Sequence, residues 1–99
     1  MFEIEVAAEV RADLKKVRPY DRNLVLDAIE EQLRHEPDQE TKNRKQVPCL
    51  IPTFEAIPPI WELRVGSYRV FYDVDRAAKK VYVRAVRKKP PHRRTEEIL

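Results

Sequence analysis

Ile60-Trp61-Glu62-Leu63-Arg64-Val65-Gly66-Ser67-Tyr68-Arg69-Val70-Phe71-Tyr72-Asp73-Val74 is the stretch on which the fold of this chain turns. Two runs rich in β-branched and aromatic residues flank Gly66, the only glycine in the protein. Gly-Ser as a two-residue loop fits a type II′ hairpin, in which glycine supplies the positive φ at the first turn position. That loop fixes the register: Val65 pairs with Tyr68, Arg64 with Arg69, Leu63 with Val70 and Trp61 with Tyr72. Side chains alternate across a strand, so Glu62, Arg64 and Arg69 share one face, while Trp61, Leu63 and Val65 share the other and belong to the core.

Upstream, Phe2, Ile4 and Val6 alternate with Glu3 and Glu5, the period of a half-buried strand. Ala7, Val10, Leu14 and Val17 recur at helical spacing, and Pro19 is expected to end that helix. Asp21 is placed to cap a second helix from Arg22 to about His35, with Val25, Ala28 or Ile29, and Leu33 facing inward. Residues 38–46 read as a polar loop carrying Lys42, Arg44 and Lys45. Four prolines (Pro48, Pro52, Pro58, Pro59) exclude a central strand between Val47 and Pro59 and allow only a short edge piece near Leu50. A last strand is expected over Lys80 to Arg87, and Thr95–Leu99 suit a frayed helical turn. The order is strand, two-helix hairpin, then an antiparallel three-stranded meander: one α+β domain over residues 1–99, with the helices on one sheet face.

Ninety-nine residues hold one core without staples. The single cysteine, Cys49, forms no internal disulfide and reads as a small apolar filler between Pro48 and Leu50 rather than a nucleophile. Cysteine and histidine spacing offers no metal site, and no cofactor is expected. The opening Met1-Phe2-Glu3-Ile4-Glu5 lacks a signal-peptide pattern and no apolar run is long enough for a bilayer, so a cytoplasmic protein is expected. The net charge of +3 conceals an asymmetry. Residues 1–40 carry eleven Asp/Glu and six Lys/Arg (−5), whereas residues 41–99 carry six and fourteen (+8). A positive face on a nearly neutral protein suits a polyanionic partner.

Like charges opposed across a sheet destabilise it by up to ~1 kcal/mol, yet two such guanidiniums also prepare an anion site. The loop cations Arg44 and Lys45 and the strand end Arg87-Lys88-Lys89 are expected to converge beside them as RNA contacts. RNA brings its own nucleophile, the 2′-hydroxyl, so cleavage requires only a base, charge neutralisation on the phosphate, and an acid for the leaving oxygen. In this reading Arg64 and Arg69 clamp the phosphate, Glu62 is the base or an orienter of Arg64, and Lys89 or His92 is the acid.

The segment from Trp61 to Tyr72 resembles the hallmark hairpin of the RelE/ParE toxin superfamily, and the helical hairpin and the strand Val83-Arg84-Ala85-Val86-Arg87-Lys88-Lys89 are similar to that family too. The resemblance spans nearly the whole chain, with Val47–Pro59 its least familiar part. It implies a toxin of a type II toxin–antitoxin system that associates with a cognate antitoxin. The RelE-like branch, which the residues favour, implies a ribosome-dependent, metal-independent mRNA endonuclease. The ParE branch implies inhibition of DNA gyrase, and a catalytically weakened relative would bind only RNA or antitoxin. By position, the family's phosphate-binding arginine falls on Arg69, a basic position before the turn on Arg64, and a basic or histidine position closing the last strand on Lys89. Arg44 and Lys45 resemble a segment near the family's site. Two departures stand out. Glu62 occupies a position often basic in RelE, and no tyrosine follows Tyr82, which leaves His92 as the sole aromatic candidate after Pro90-Pro91.

Overall fold

The computed structural model describes residues 1–48 and 52–89 of the chain. It consists of β1 (Glu3–Val6), α1 (Ala8–Lys15), α2 (Pro19–Leu33), β2 (Arg44–Gln46), β3 (Trp61–Val65), β4 (Tyr68–Asp75) and β5 (Lys80–Lys88). The strands form one sheet in the order β1-β5-β4-β3-β2. β3, β4 and β5 make the expected antiparallel meander, and β1 lies parallel to β5 at one edge. Among the described residues, no helix is long and apolar enough to cross a membrane.

Both helices lie on one face of the sheet. Val10 and Leu14 of α1 and Val25, Ile29 and Leu33 of α2 pack with Trp61, Leu63, Val70, Tyr72, Val81 and Val83 in a single core. The inward positions of α2 are those that its sequence spacing marks. Its start differs from expectation: Pro19 opens α2 instead of merely ending α1, and Arg18 rather than Asp21 is its N-cap. Proline fits the first helical turn, where its missing N–H leaves no bond unmade and its φ is already set. Asp21 sits in that turn, takes two hydrogen bonds from the Arg18 guanidinium, and accepts the Tyr68 hydroxyl at 3.2 Å.

The hairpin register is the one that Gly66 dictates, with Arg64 opposite Arg69 and Val65 opposite Tyr68. Gly66 has φ +57, and among the described residues Lys79 is the only non-glycine at positive φ, so Ser67 keeps the negative φ of the second position in a II′ turn. One strand was not expected. Arg44–Gln46 pairs with β3 as the second sheet edge, in a stretch whose polar composition reads as loop. The expected edge piece near Leu50, the filler Cys49, the turn at Thr95–Leu99 and the candidate acid His92 lie outside the described residues.

The second sheet face is also covered near its centre. Ile60, Phe71 and Ala85 form a small cluster with Phe54 and Ala56, so residues 52–60 cross this face as a strap. A β-bulge makes room for an unusual contact beneath it: the partner of Phe71 is Ala85 but that of Tyr72 is Val83, which leaves Arg84 as the extra residue on β5.

Candidate functional site

The same register builds the site. Arg64 pairs with Arg69 and Arg69 pairs with Arg87, so three arginines stand in one row across β3, β4 and β5 on the face away from the helices. At ordinary strand spacing the row is about 10 Å long. Lys45 flanks it from β2, directly opposite Glu62 and on the same face.

The environment of the central arginine corrects the expectation of an open surface. Arg69 is only 7% exposed and Glu62 only 3%. Arg69 Nε lies 3.2 Å from Glu62 Oε1, yet its hydrogen is not aimed at that oxygen, so the contact is ionic rather than a hydrogen bond. Its Nη1 donates to the carbonyl oxygens of Gly66 and Tyr68, both at 2.8 Å, and so ties the guanidinium to the turn. Burial lowers the Arg69 pKa, the Arg64 charge lowers it further, and Glu62 opposes both. The guanidinium stays protonated even so. The result is a fixed, partly desolvated cation. Arg64 beside it is exposed.

Burial also bears on Glu62. A carboxylate only 3% exposed and 3.2 Å from Arg69 Nε is placed to orient that arginine, not to reach a hydroxyl in solvent. Arg87, the third member of the row, donates to Asp13 of α1 at 3.3 Å and to its own strand at Val86 O. It reaches around β5 because β1 pairs only with Lys80–Val83 and leaves the later part of that edge without a strand.

Two expected RNA contacts stand elsewhere. Arg44 pairs with Leu63 and therefore faces the helices, where it donates to the carbonyl oxygens of Gln32 and Gln39. At 9% exposure it is a structural tie between α2 and β2. Lys88 pairs with Tyr68 and also faces the helix side, lining a cavity of about 400 Å³ with Asp13, Lys16, Arg18 and Asp21. Lys89 follows at the end of β5 and donates its backbone N–H to Ser67 O at 2.6 Å, beside the hairpin turn. The structure thus brings Glu62, Arg64, Arg69, Arg87 and Lys45 together and leaves Arg44 and Lys88 on the other face.

Sequence reasoning missed one pair. Asp73 is 2% exposed and accepts Arg84 Nε at 2.7 Å, Arg84 Nη2 at 3.3 Å and the Ile57 N–H at 3.2 Å. The Arg84 pKa is raised, chiefly by the hydrogen bonds to Asp73. An Asp in a strand on the face of Arg69 was the available signal, but its partner depends on the bulge.

The architecture is thus a five-stranded sheet with a helical hairpin on one face and a row of arginine positions on the other. The structure resembles that of the archaeal RelE–RelB complex from Pyrococcus horikoshii OT3 (TM-score 0.69, 20% identity, 94% of this chain and 98% of that one). It also resembles the RelBE2 toxin–antitoxin complex from Mycobacterium tuberculosis (TM-score 0.70, 20% identity, 89% and 98%). These likenesses establish a RelE-like fold. The search among curated protein sequences returned no match. Residues 4–89 match the family described as the ParE toxin of the type II toxin–antitoxin system parDE. The chain belongs to that family, within the RelE/ParE superfamily, and is a toxin of a type II toxin–antitoxin system.

Proposed function

We propose that this toxin cleaves messenger RNA on the ribosome, with the arginine row as its phosphodiester clamp. The observation that carries the reading is the register Arg64–Arg69–Arg87, which sets three arginine positions in one row, with Arg64 exposed beside Arg69 and Arg87 turned at the edge of β5 toward Asp13. Guanidinium forks match phosphate oxygens, and a partly desolvated one holds an anion more strongly than a solvated one. In the reaction the 2′-oxygen attacks the adjacent phosphorus and its proton leaves to a base. The bond to the 5′-oxygen breaks, and that oxygen takes a proton, giving a 2′,3′-cyclic phosphate and a 5′-hydroxyl. Arg64 and Arg69 neutralise the charge that builds on the phosphate oxygens. Glu62 holds Arg69, and the proton transfers fall to the end of β5 and beyond, where Lys89 and His92 are the candidates. Lys45 and Arg87 steer the strand.

The partner is a cognate antitoxin, in line with the toxin–antitoxin complexes among the structural neighbours. Purified protein added to message-programmed ribosomes should yield cut mRNA ends in the A site, and Arg64→Ala should lower the cleavage rate at least tenfold. Arg64 is the cleaner test because it is exposed, so its loss leaves no buried partner stranded. Intact message at high toxin concentration rejects the proposal. A gyrase poison is the second reading, favoured by the ParE description of the matching family. It predicts cleaved gyrase–DNA complexes on induction while translation continues.

A further inference from the structure

We infer that the strap of residues 52–60 is the base-contacting wall of this RNA site, with Phe54 stacking on a nucleobase and Asp73 acting as the positioning residue that holds the wall in place. The inference rests on the RNA reading of the arginine row. Phe71 stands two residues from Arg69 on the same face of β4, and the Phe54 ring packs on it with centroids 6.0 Å apart. The strap therefore borders the row one side-chain position away. It presents Phe54 half-buried, and Ile57 64% exposed, beside the row that holds Arg64 and Arg69. A phosphate gripped by guanidiniums carries a base at short range, and a base beside an exposed apolar and aromatic edge has a stacking partner.

The strap is held by more than apolar contact. Asp73 binds Arg84 and the Ile57 N–H together, fastening the strap's middle to β4 and β5. Ile60 O accepts the Val47 N–H at 2.8 Å and fastens its end. A platform fixed at both points loses little entropy when a base lands on it.

The test uses a fluorescein-labelled single-stranded RNA 8-mer, 2′-O-methylated so that it survives, and an abasic oligomer of the same length and charge. Binding is followed by fluorescence anisotropy at low salt with the full chain. Wild type should bind the base-bearing strand more tightly than the abasic one. Phe54→Ala should weaken the base-bearing complex roughly tenfold and leave the abasic complex unchanged. Asp73→Asn should produce the same selective loss, which a merely weakened fold would not. Equal affinity of wild type and Phe54→Ala for the base-bearing strand overturns the inference while the clamp stands. No binding of either strand by wild type overturns the clamp and the wall together.

Discussion

At the scale of the residue, Glu62 and Arg69 form a nearly buried ion pair at the centre of the site. Each is nearly sealed, and each is the other's countercharge. Arg69→Ala removes a nearly buried side chain together with its two hydrogen bonds to the turn and its contact with Glu62. It should therefore lower the unfolding free energy in urea by about 1–3 kcal/mol, whereas Arg64→Ala should shift it by less than about 0.5 kcal/mol. A similar small effect for both would show that Arg69 is not held as described. Tyr72 offers a test of burial through pH. Its side chain is fully buried, its hydroxyl donates to Pro37 O at 2.5 Å, and burial pushes its pKa well above the ordinary 10.0. The fold holds the neutral phenol, so the contribution is fully present below about pH 10 and is lost as pH rises through the folded-state value. Urea titrations should show an alkaline loss of stability that Tyr72→Phe reduces. At neutral pH that variant should be destabilised by about 1–3 kcal/mol, because the Pro37 carbonyl is left without its donor.

At the scale of the element, the hairpin depends on one backbone conformation. A Cβ added at Gly66 meets nothing within 4 Å, so space is not the constraint there; φ +57 is. Gly66→Ala should cost about 1–2 kcal/mol through left-handed strain alone, and Gly66→Asn distinctly less. Equal losses for the two in thermal or urea unfolding would contradict this account. The same turn explains what the sequence made legible. A single glycine between two β-rich runs leaves one register open, and from it follow the Arg64–Arg69 pair and the inward face of Trp61, Leu63 and Val65. β2 was not legible because nothing local favours a strand at Arg44-Lys45-Gln46. Its pairing comes from β3 and from the carbonyls of α2 that receive Arg44. Pro19 was ambiguous for a local reason: the property that ends α1 also suits the first turn of α2. The strap was opaque because Asp73 and Arg84 meet only through the bulge in the β4–β5 pairing, which no local pattern marks.

At the scale of the whole molecule, charge and topology divide the labour between the two sheet faces. The helices fill one face, so the proposed RNA contact falls to the other, where the row lies. This placement separates two cations that sequence alone groups together: Arg64 stands on the row's face and Lys88 on the helix face. Each phosphate neutralised on a single strand contributes about −0.7 to the slope of log K against log salt, so engagement of all three guanidiniums predicts a slope near −2. Affinity for the 2′-O-methyl RNA, measured by anisotropy across a salt series, should show that slope for wild type. Arg64→Ala should reduce it by about 0.7, while Lys88→Ala should leave it unchanged, because a lysine on the far face releases no counterion from this strand. The reverse result, with Lys88 setting the slope and Arg64 silent, would move the polyanion to the helix face and into the cavity lined by Lys16, Arg18 and Lys88.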